Sequence, residues 1–186
     1  MATELKYATE NSSLDNSWTL GAGSTKWEAV LTNDGDTSYI TAPGTTQVYQ
    51  GFKKEDSDLL ATDTINWVKI HAFMYVDKTN KKGQIRYRSG SSTSDSAQFD
   101  VTKDSYGQHT YDMGATNPIT ALPWTLDDID GTNRFEMAVT NTTARSDYRC
   151  TQIWVEVDYT PLSAGVGRLV NGGLVNAGLV GGRLVK

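Results

Sequence analysis

A chain of 186 residues is the size of a single domain and can bury a substantial core without help from disulfides or metal. Its 38% hydrophobic and 21% charged residues, with a mean hydropathy of −0.46, exclude both a membrane-protein profile and the charge excess of a disordered chain. The net charge of −5 argues against a general nucleic-acid binder, whose affinity rests on clustered Lys and Arg, and the one basic run, Lys78 to Lys82, reads as a solvated turn. A single cysteine, Cys150, excludes an intramolecular disulfide and a multi-cysteine zinc site. With two histidines beside it, most catalytic constellations cannot be assembled, so a non-enzymatic protein without a cofactor is expected.

Residues 1–25 are polar, and their Asn11-Ser12-Ser13 and Gly21-Ala22-Gly23-Ser24 runs are turn chemistry, which predicts an extended N-terminal arm. Met1 to Glu10 contain no apolar h-region and no small-residue cleavage site, so synthesis in the cytoplasm is expected. Residues 26–161 change character: short β-branched and aromatic runs separated by Gly, Asn, Asp and Ser clusters predict an all-β domain, a two-sheet antiparallel sandwich of jelly-roll type. Strands are expected at Trp27–Leu31, Ser38–Ala42, Thr45–Phe52, Thr64–Val76, Gly83–Ser89, Ala97–Val101, Gln108–Asp112, Phe135–Thr140 and Arg149–Tyr159.

In the clearest strand Val68, Ile70, Ala72, Met74 and Val76 alternate with Trp67, Lys69, His71, Phe73 and Tyr75, and the first set is expected in the core. Ile85 and Tyr87 alternate likewise with Gln84, Arg86 and Arg88, and the Lys78–Gly83 segment between the two strands predicts that they pair as a hairpin. In the last strand, strict alternation places Cys150 and Trp154 together on the side away from the main core. One helical turn is expected at Thr125–Ile129, with Thr125 and Asp128 forming a capping box and Trp124 anchoring it.

After Tyr159-Thr160-Pro161 comes a low-complexity tail, residues 162–186, with a five-residue period that places Leu-Val pairs at Leu169-Val170, Leu174-Val175, Leu179-Val180 and Leu184-Val185. That period matches neither a helix nor a flat strand, so no regular face collects the pairs. Left in water they are an aggregation hazard, and burying them alone does not offset the entropy of ordering their backbone. Backbone pairing with a neighbouring sheet edge would supply the missing hydrogen bonds, which predicts an intersubunit docking arm with these eight side chains as the assembly interface. The glycines among them, Gly172, Gly173, Gly178, Gly181 and Gly182, permit close backbone approach. Membrane insertion is disfavoured by Arg168 and Arg183.

Other candidate sites weigh less. Asp128-Ile129-Asp130-Gly131 and Asn33-Asp34-Gly35-Asp36 offer clustered oxygens, but Asp or Asn before Gly is ordinary turn chemistry and no metal is assigned. His71 and His109 lack the local spacing of a ligand set and read as structural or surface residues. Acid pairs for glycoside hydrolysis could be drawn from Glu28, Glu136 and Glu156, as from any β-protein. The triplets at Asn11 and Asn141 match a glycosylation acceptor, which carries little weight without a secretion signal. Among the aromatics, Trp67 and Trp154 both fall on outward strand faces and are the candidates for contact with a ligand or a neighbour.

The order of motifs Asp34-Gly-Asp-Thr-Ser-Tyr39-Ile, Thr64-Ile-Asn-Trp-Val-Lys-Ile-His-Ala72, Gly83-Gln-Ile-Arg-Tyr-Arg-Ser-Gly90, Asn117-Pro118 through Trp124-Thr125, and Thr151-Gln-Ile-Trp-Val-Glu-Val-Asp-Tyr159 resembles that of tailed-bacteriophage virion proteins with a jelly-roll-like sandwich. The resemblance covers about Trp27 to Pro161 and departs at Asp127–Gly131, where such proteins often continue as a helix and a Gly-Val run. It implies a structural protein of the virion, made in the host cytoplasm. The first expectation is capsid decoration, docked through the tail on other virion proteins and on copies of itself. The alternative is a head- or tail-fibre module that binds a receptor or host-surface glycan through exposed aromatics. Neither nucleic acid nor membrane is an expected partner.

Overall fold

A computed structural model describes residues 1–44, 47–131, 135–144 and 146–162. In chain order it has β1 (Ala2–Asn16), β2 (Thr19–Ala22), a 3-10 turn (Glu28–Val30), β3 (Tyr39–Thr41) and β4 (Val48–Lys54). The long β5 (Thr64–Val76) follows, then β6 (Lys82–Ser89), β7 (Ser92–Asp95), β8 (Phe99–Asp100) and β9 (Gly107–Gly114). A short helix α1 (Leu126–Asp130) and the strands β10 (Glu136–Asn141) and β11 (Tyr148–Thr160) complete it.

The strands form an antiparallel two-sheet sandwich of the expected class. In sheet A, β9 pairs with β5 and β5 with β11; the other edge of β11 pairs with the first part of β1 and with β3, which pairs with β2. In sheet B, the second part of β1 pairs with β4, then β10 and β6 follow, with β7 and β8 on the edge of β6. Successive long strands alternate between the sheets, the wrapping of a jelly roll. Between them, Val68, Ile70, Met74, Ile153, Val155 and Val157 of sheet A meet Phe52, Ile85, Tyr87, Met137 and Val139 of sheet B, all at 0% exposure. No helix among the described residues is long and apolar enough to cross a membrane.

The expected strands at β5, β6, β9, β10 and β11 are present, with Val68 through Val76 turned inward as their alternation requires. The capping box is present too: the Thr125 side chain accepts from the Asp128 amide, and the Asp128 carboxylate accepts from the Thr125 amide at 2.9 Å. Four expectations are corrected. The N-terminal arm over 1–25 is replaced by β1, a strand inside the sheets, and by β2; the inward positions of β1 are Lys6, Ala8 and Ser12, so its burial has no hydrophobic signature. Trp27–Leu31 is a 3-10 turn rather than a strand, closed by the Val30 and Leu31 amides onto Trp27 and Glu28.

β5 and β6 do not pair. They lie in opposite sheets, because each has a fully apolar face and the two faces meet across the core. Cys150 is buried with the core rather than beside Trp154. A bulge at Thr151 puts two residues of β11 against one of β5, between the pairs Cys150–Met74 and Gln152–Phe73, and shifts every later side chain to the other face. Burial pushes the Cys150 thiol up to about 12, so it is inert.

Candidate functional site

The outward face of sheet A is built by register. Directly paired residues share a face, so Tyr7 of β1, Trp154 of β11, His71 of β5 and Thr110 of β9 form one row across the strands. The row on one side is Leu5, Glu156, Lys69 and Asp112, followed by Thr3, Asp158 and Trp67. The row on the other side is Gln152, Phe73 and Gln108. Trp67 and Trp154 are thus on one surface, about 14 Å apart by strand geometry (~3.3 Å per residue, ~4.8 Å between strands). The sequence assigns both to outward faces, and the structure agrees.

The rings are held rather than loose. The Trp154 ring stacks on His71 at 4.8 Å and 17° and lies 5.8 Å and 27° from Phe73. His71 is fixed in turn: Nε2 lies 2.9 Å from Glu156, while Nδ1 lies 2.9 Å from Thr110 and 3.2 Å from the Gln108 amide nitrogen. With its hydrogen on Nε2, the imidazole donates to Glu156 and accepts from Gln108. The Lys69 ammonium lies 4.5 Å above the Trp67 ring and 3.0 Å from Asp112. Trp67, Phe73, Trp154 and Tyr7 are all half-buried, with carboxylates, amides and hydroxyls between them. A surface of preoriented rings interleaved with fixed donors and acceptors suits a flat, polyhydroxylated ligand.

At the Tyr7 end the surface opens into a cleft of about 500 Å³, lined by Tyr7, Ala8, Trp27, Leu31, Thr32, Glu55 and Gln152. It lies where β1 leaves sheet A for sheet B, and Gln152 closes one wall by donating to the Leu31 carbonyl at 3.0 Å. The sequence gives no sign of Tyr7, Trp27 or the cleft as part of the site, and it names His71 and Glu156 only in other roles. Tyr7 belongs to the stretch read as an arm, Trp27 to one read as a strand, and His71 matters through partners on β9 and β11 that only the register supplies.

At the start of β11, on the side of Trp154 away from Trp67, Arg149 is enclosed by Asp147, by Asp36 at 2.7 Å and by the Tyr39 and Tyr75 rings at 4.6 and 5.0 Å. The Arg149 hydrogen bond, with one from Tyr106, holds the Asp36 carboxyl below its ordinary range. This is a clasp tying the loop before β3 to β11, with one guanidinium shared by two carboxylates.

The acidic turns are similarly occupied. Asp34 accepts from Ser38 and Thr151, Asp128 caps α1, and Asp130 accepts from Ser57 and from Lys54 at 2.6 Å. No group of three His, Cys, Asp or Glu side chains placed to hold a metal occurs among the described residues. Glu28, Glu136 and Glu156 are not brought together: they bond respectively to Thr25, to Ser12 in sheet B and to His71 in sheet A. His109, on β9, stacks on Phe99 at 4.1 Å, and burial lowers its pKa to about 4. The expected assembly residues Leu169, Val170, Leu174, Val175, Leu179, Val180, Leu184 and Val185 lie outside the described residues.

No protein-family model and no curated protein matches the sequence. Among solved structures, the chain is similar to a family 29 carbohydrate-binding module from Piromyces equi, at 8% identity and a TM-score of 0.41, over 84% of this chain and 91% of that one. It is also similar to a carbohydrate-binding module of Cellvibrio mixtus lichenase 5A in complex with cellotriose, at 8% identity and a TM-score of 0.43, over 87% of this chain and 100% of that one. At that distance neither likeness says what this chain binds.

Proposed function

We propose that the β-sandwich is a carbohydrate-binding module whose ligand lies on the outward face of sheet A. The observation that carries this reading is the row Tyr7–Trp154–His71–Thr110, continued by Phe73, Glu156 and Trp67. The aromatic surface offers apolar contact to the faces of sugar rings, and the interleaved carboxylate, amide and hydroxyl groups can exchange hydrogen bonds with their edges. Because the rings are fixed by stacking and hydrogen bonds, little side-chain freedom is lost on binding. The length from Trp67 to Trp154, about 14 Å, favours an oligosaccharide over a single sugar.

In the virion setting that the sequence resemblance implies, such a module would be the receptor-contacting part of a head or tail fibre, with the Leu-Val repeat as the element that attaches it. Passive decoration gives this face no role. The test is tryptophan fluorescence during titration with glycans from a binding array. A bound glycan quenches the emission, and Trp154→Ala weakens binding by about thirtyfold, the loss of a central aromatic contact of about 2 kcal/mol. Unchanged affinity in Trp154→Ala, with the fold intact by circular dichroism, would remove the face from consideration.

A further inference from the structure

The cleft at the Tyr7 end has a chemistry distinct from the open face. Tyr7 and Trp27 provide aromatic lining, Leu31 an apolar contact, and Gln152 and Thr32 neutral polar groups. Among its described lining residues the charged one is Glu55, which is exposed and whose carboxylate accepts from the Tyr7 amide at 3.3 Å. The nearby cations are already engaged. The Lys6 ammonium lies 2.9 Å from Glu4 and 3.7 Å from Asp58, and the Lys54 ammonium lies 2.6 Å from Asp130. Burial opposes the charge on Lys6, yet the hydrogen bond from Lys6 to Glu4 and the charges of Glu4, Asp58 and Glu55 hold its pKa above the ordinary value. Glu4, Asp58 and Glu55 thus outnumber the Lys6 ammonium, which leaves the Glu55 charge at the cleft uncancelled by it.

Aromatic walls beside an open carboxylate favour a cation, through the ring faces and a charge-assisted hydrogen bond. Anionic sugars meet like charge there. We infer that the cleft takes an amine-bearing sugar unit, a hexosamine with its nitrogen free, at one end of a glycan lying on sheet A. This inference rests on the glycan-binding reading and deepens it: the open face supplies contact to any sugar ring, and the cleft supplies the choice of the terminal unit.

The experiment is calorimetric titration of the full chain with three oligomers of equal length: glucosamine, N-acetylglucosamine and a uronic acid. Each is run at low and high salt, for the native protein and for Glu55→Gln. The native protein is expected to bind the glucosamine oligomer about tenfold more tightly than the acetylated one, as one charge-assisted contact provides, with the uronic acid weakest. Added salt should narrow that preference. Glu55→Gln should erase it by weakening the glucosamine oligomer alone. Equal affinity for the amine and the acetylated oligomer, or a preference that survives Glu55→Gln, overturns the assignment while the glycan reading stands. If none of the three and no array glycan binds, both fall together.

Discussion

Acid should open one edge of the sandwich through His109. Its ring lies on β9 of sheet A and stacks at 4.1 Å and 12° on Phe99 of β8, which pairs with β6 of sheet B, so this contact spans the two sheets. Among the described residues Nε2 is buried without a hydrogen-bond partner, and burial lowers the pKa from 6.5 to about 4. The unfolded chain therefore binds a proton at higher pH than the folded one. Stability is complete above about pH 6.5, falls as the pH drops toward about 4, and is independent of this group below that.

The full difference corresponds to about 3.4 kcal/mol, which solvent screening of a half-buried ring reduces to about 1–2 kcal/mol. The assay is urea unfolding of the native protein and His109→Phe between pH 7.5 and 4.5, reading the difference between the two at each pH. Carboxylate titration is common to both and cancels. The difference should shift in favour of His109→Phe by about 1–2 kcal/mol across that range. Parallel pH profiles would refute the reasoning, since they would mean the ring titrates alike folded and unfolded.

Other consequences are as direct. Thr125→Ala removes the capping box of α1 and should cost about 1 kcal/mol in thermal or urea unfolding; Asp128→Asn should cost at least as much, because both Asp128 oxygens accept, from Asn117 and from Thr125, and the new amide nitrogen must face one of these donors. Asp130→Ala leaves the Lys54 ammonium, whose side chain is 3% exposed, without its carboxylate and with only the Glu55 carbonyl, and should cost about 3 kcal/mol. Hydrogen bonds from Lys54 and Ser57 outweigh burial and hold the Asp130 pKa below the ordinary value, so its contribution is present at neutral pH and lost as acid protonates it; the Asp130→Ala deficit should shrink in strong acid. A chain ending at Pro161 should keep the melting temperature of the sandwich and lose self-association or particle binding by light scattering; unchanged assembly would dismiss the repeat as the docking element.

How much of this was legible in the sequence depends on which faces are apolar. β5 was readable because one face is wholly hydrophobic, and the two tryptophans followed from the same alternation. β1 was invisible because its inward positions hold Lys6, Ala8 and Ser12; Lys6 is tolerated through Glu4, and Ser12 through a 2.7 Å bond to Glu136. Tyr7 was lost with it. Alternation also failed at Thr151, where one extra residue inverts the faces and carries Cys150 into the core. The pairing of β5 was misassigned because a short polar connection fits a hairpin and a crossing between sheets equally well. The constellation at His71 depends on Glu156 and Thr110, 85 and 39 residues away in the chain, and only the register unites them.

The central claim is that a glycan lies on the outward face of sheet A, and amide and indole chemical-shift mapping during titration with a binding oligosaccharide tests it most directly. The largest shifts should fall on the indole N–H signals of Trp154 and Trp67 and on the amides of Tyr7, His71 and Phe73, while the buried Trp18 and Trp124 stay still. Shifts confined to the Arg149 clasp or to sheet B would contradict the account.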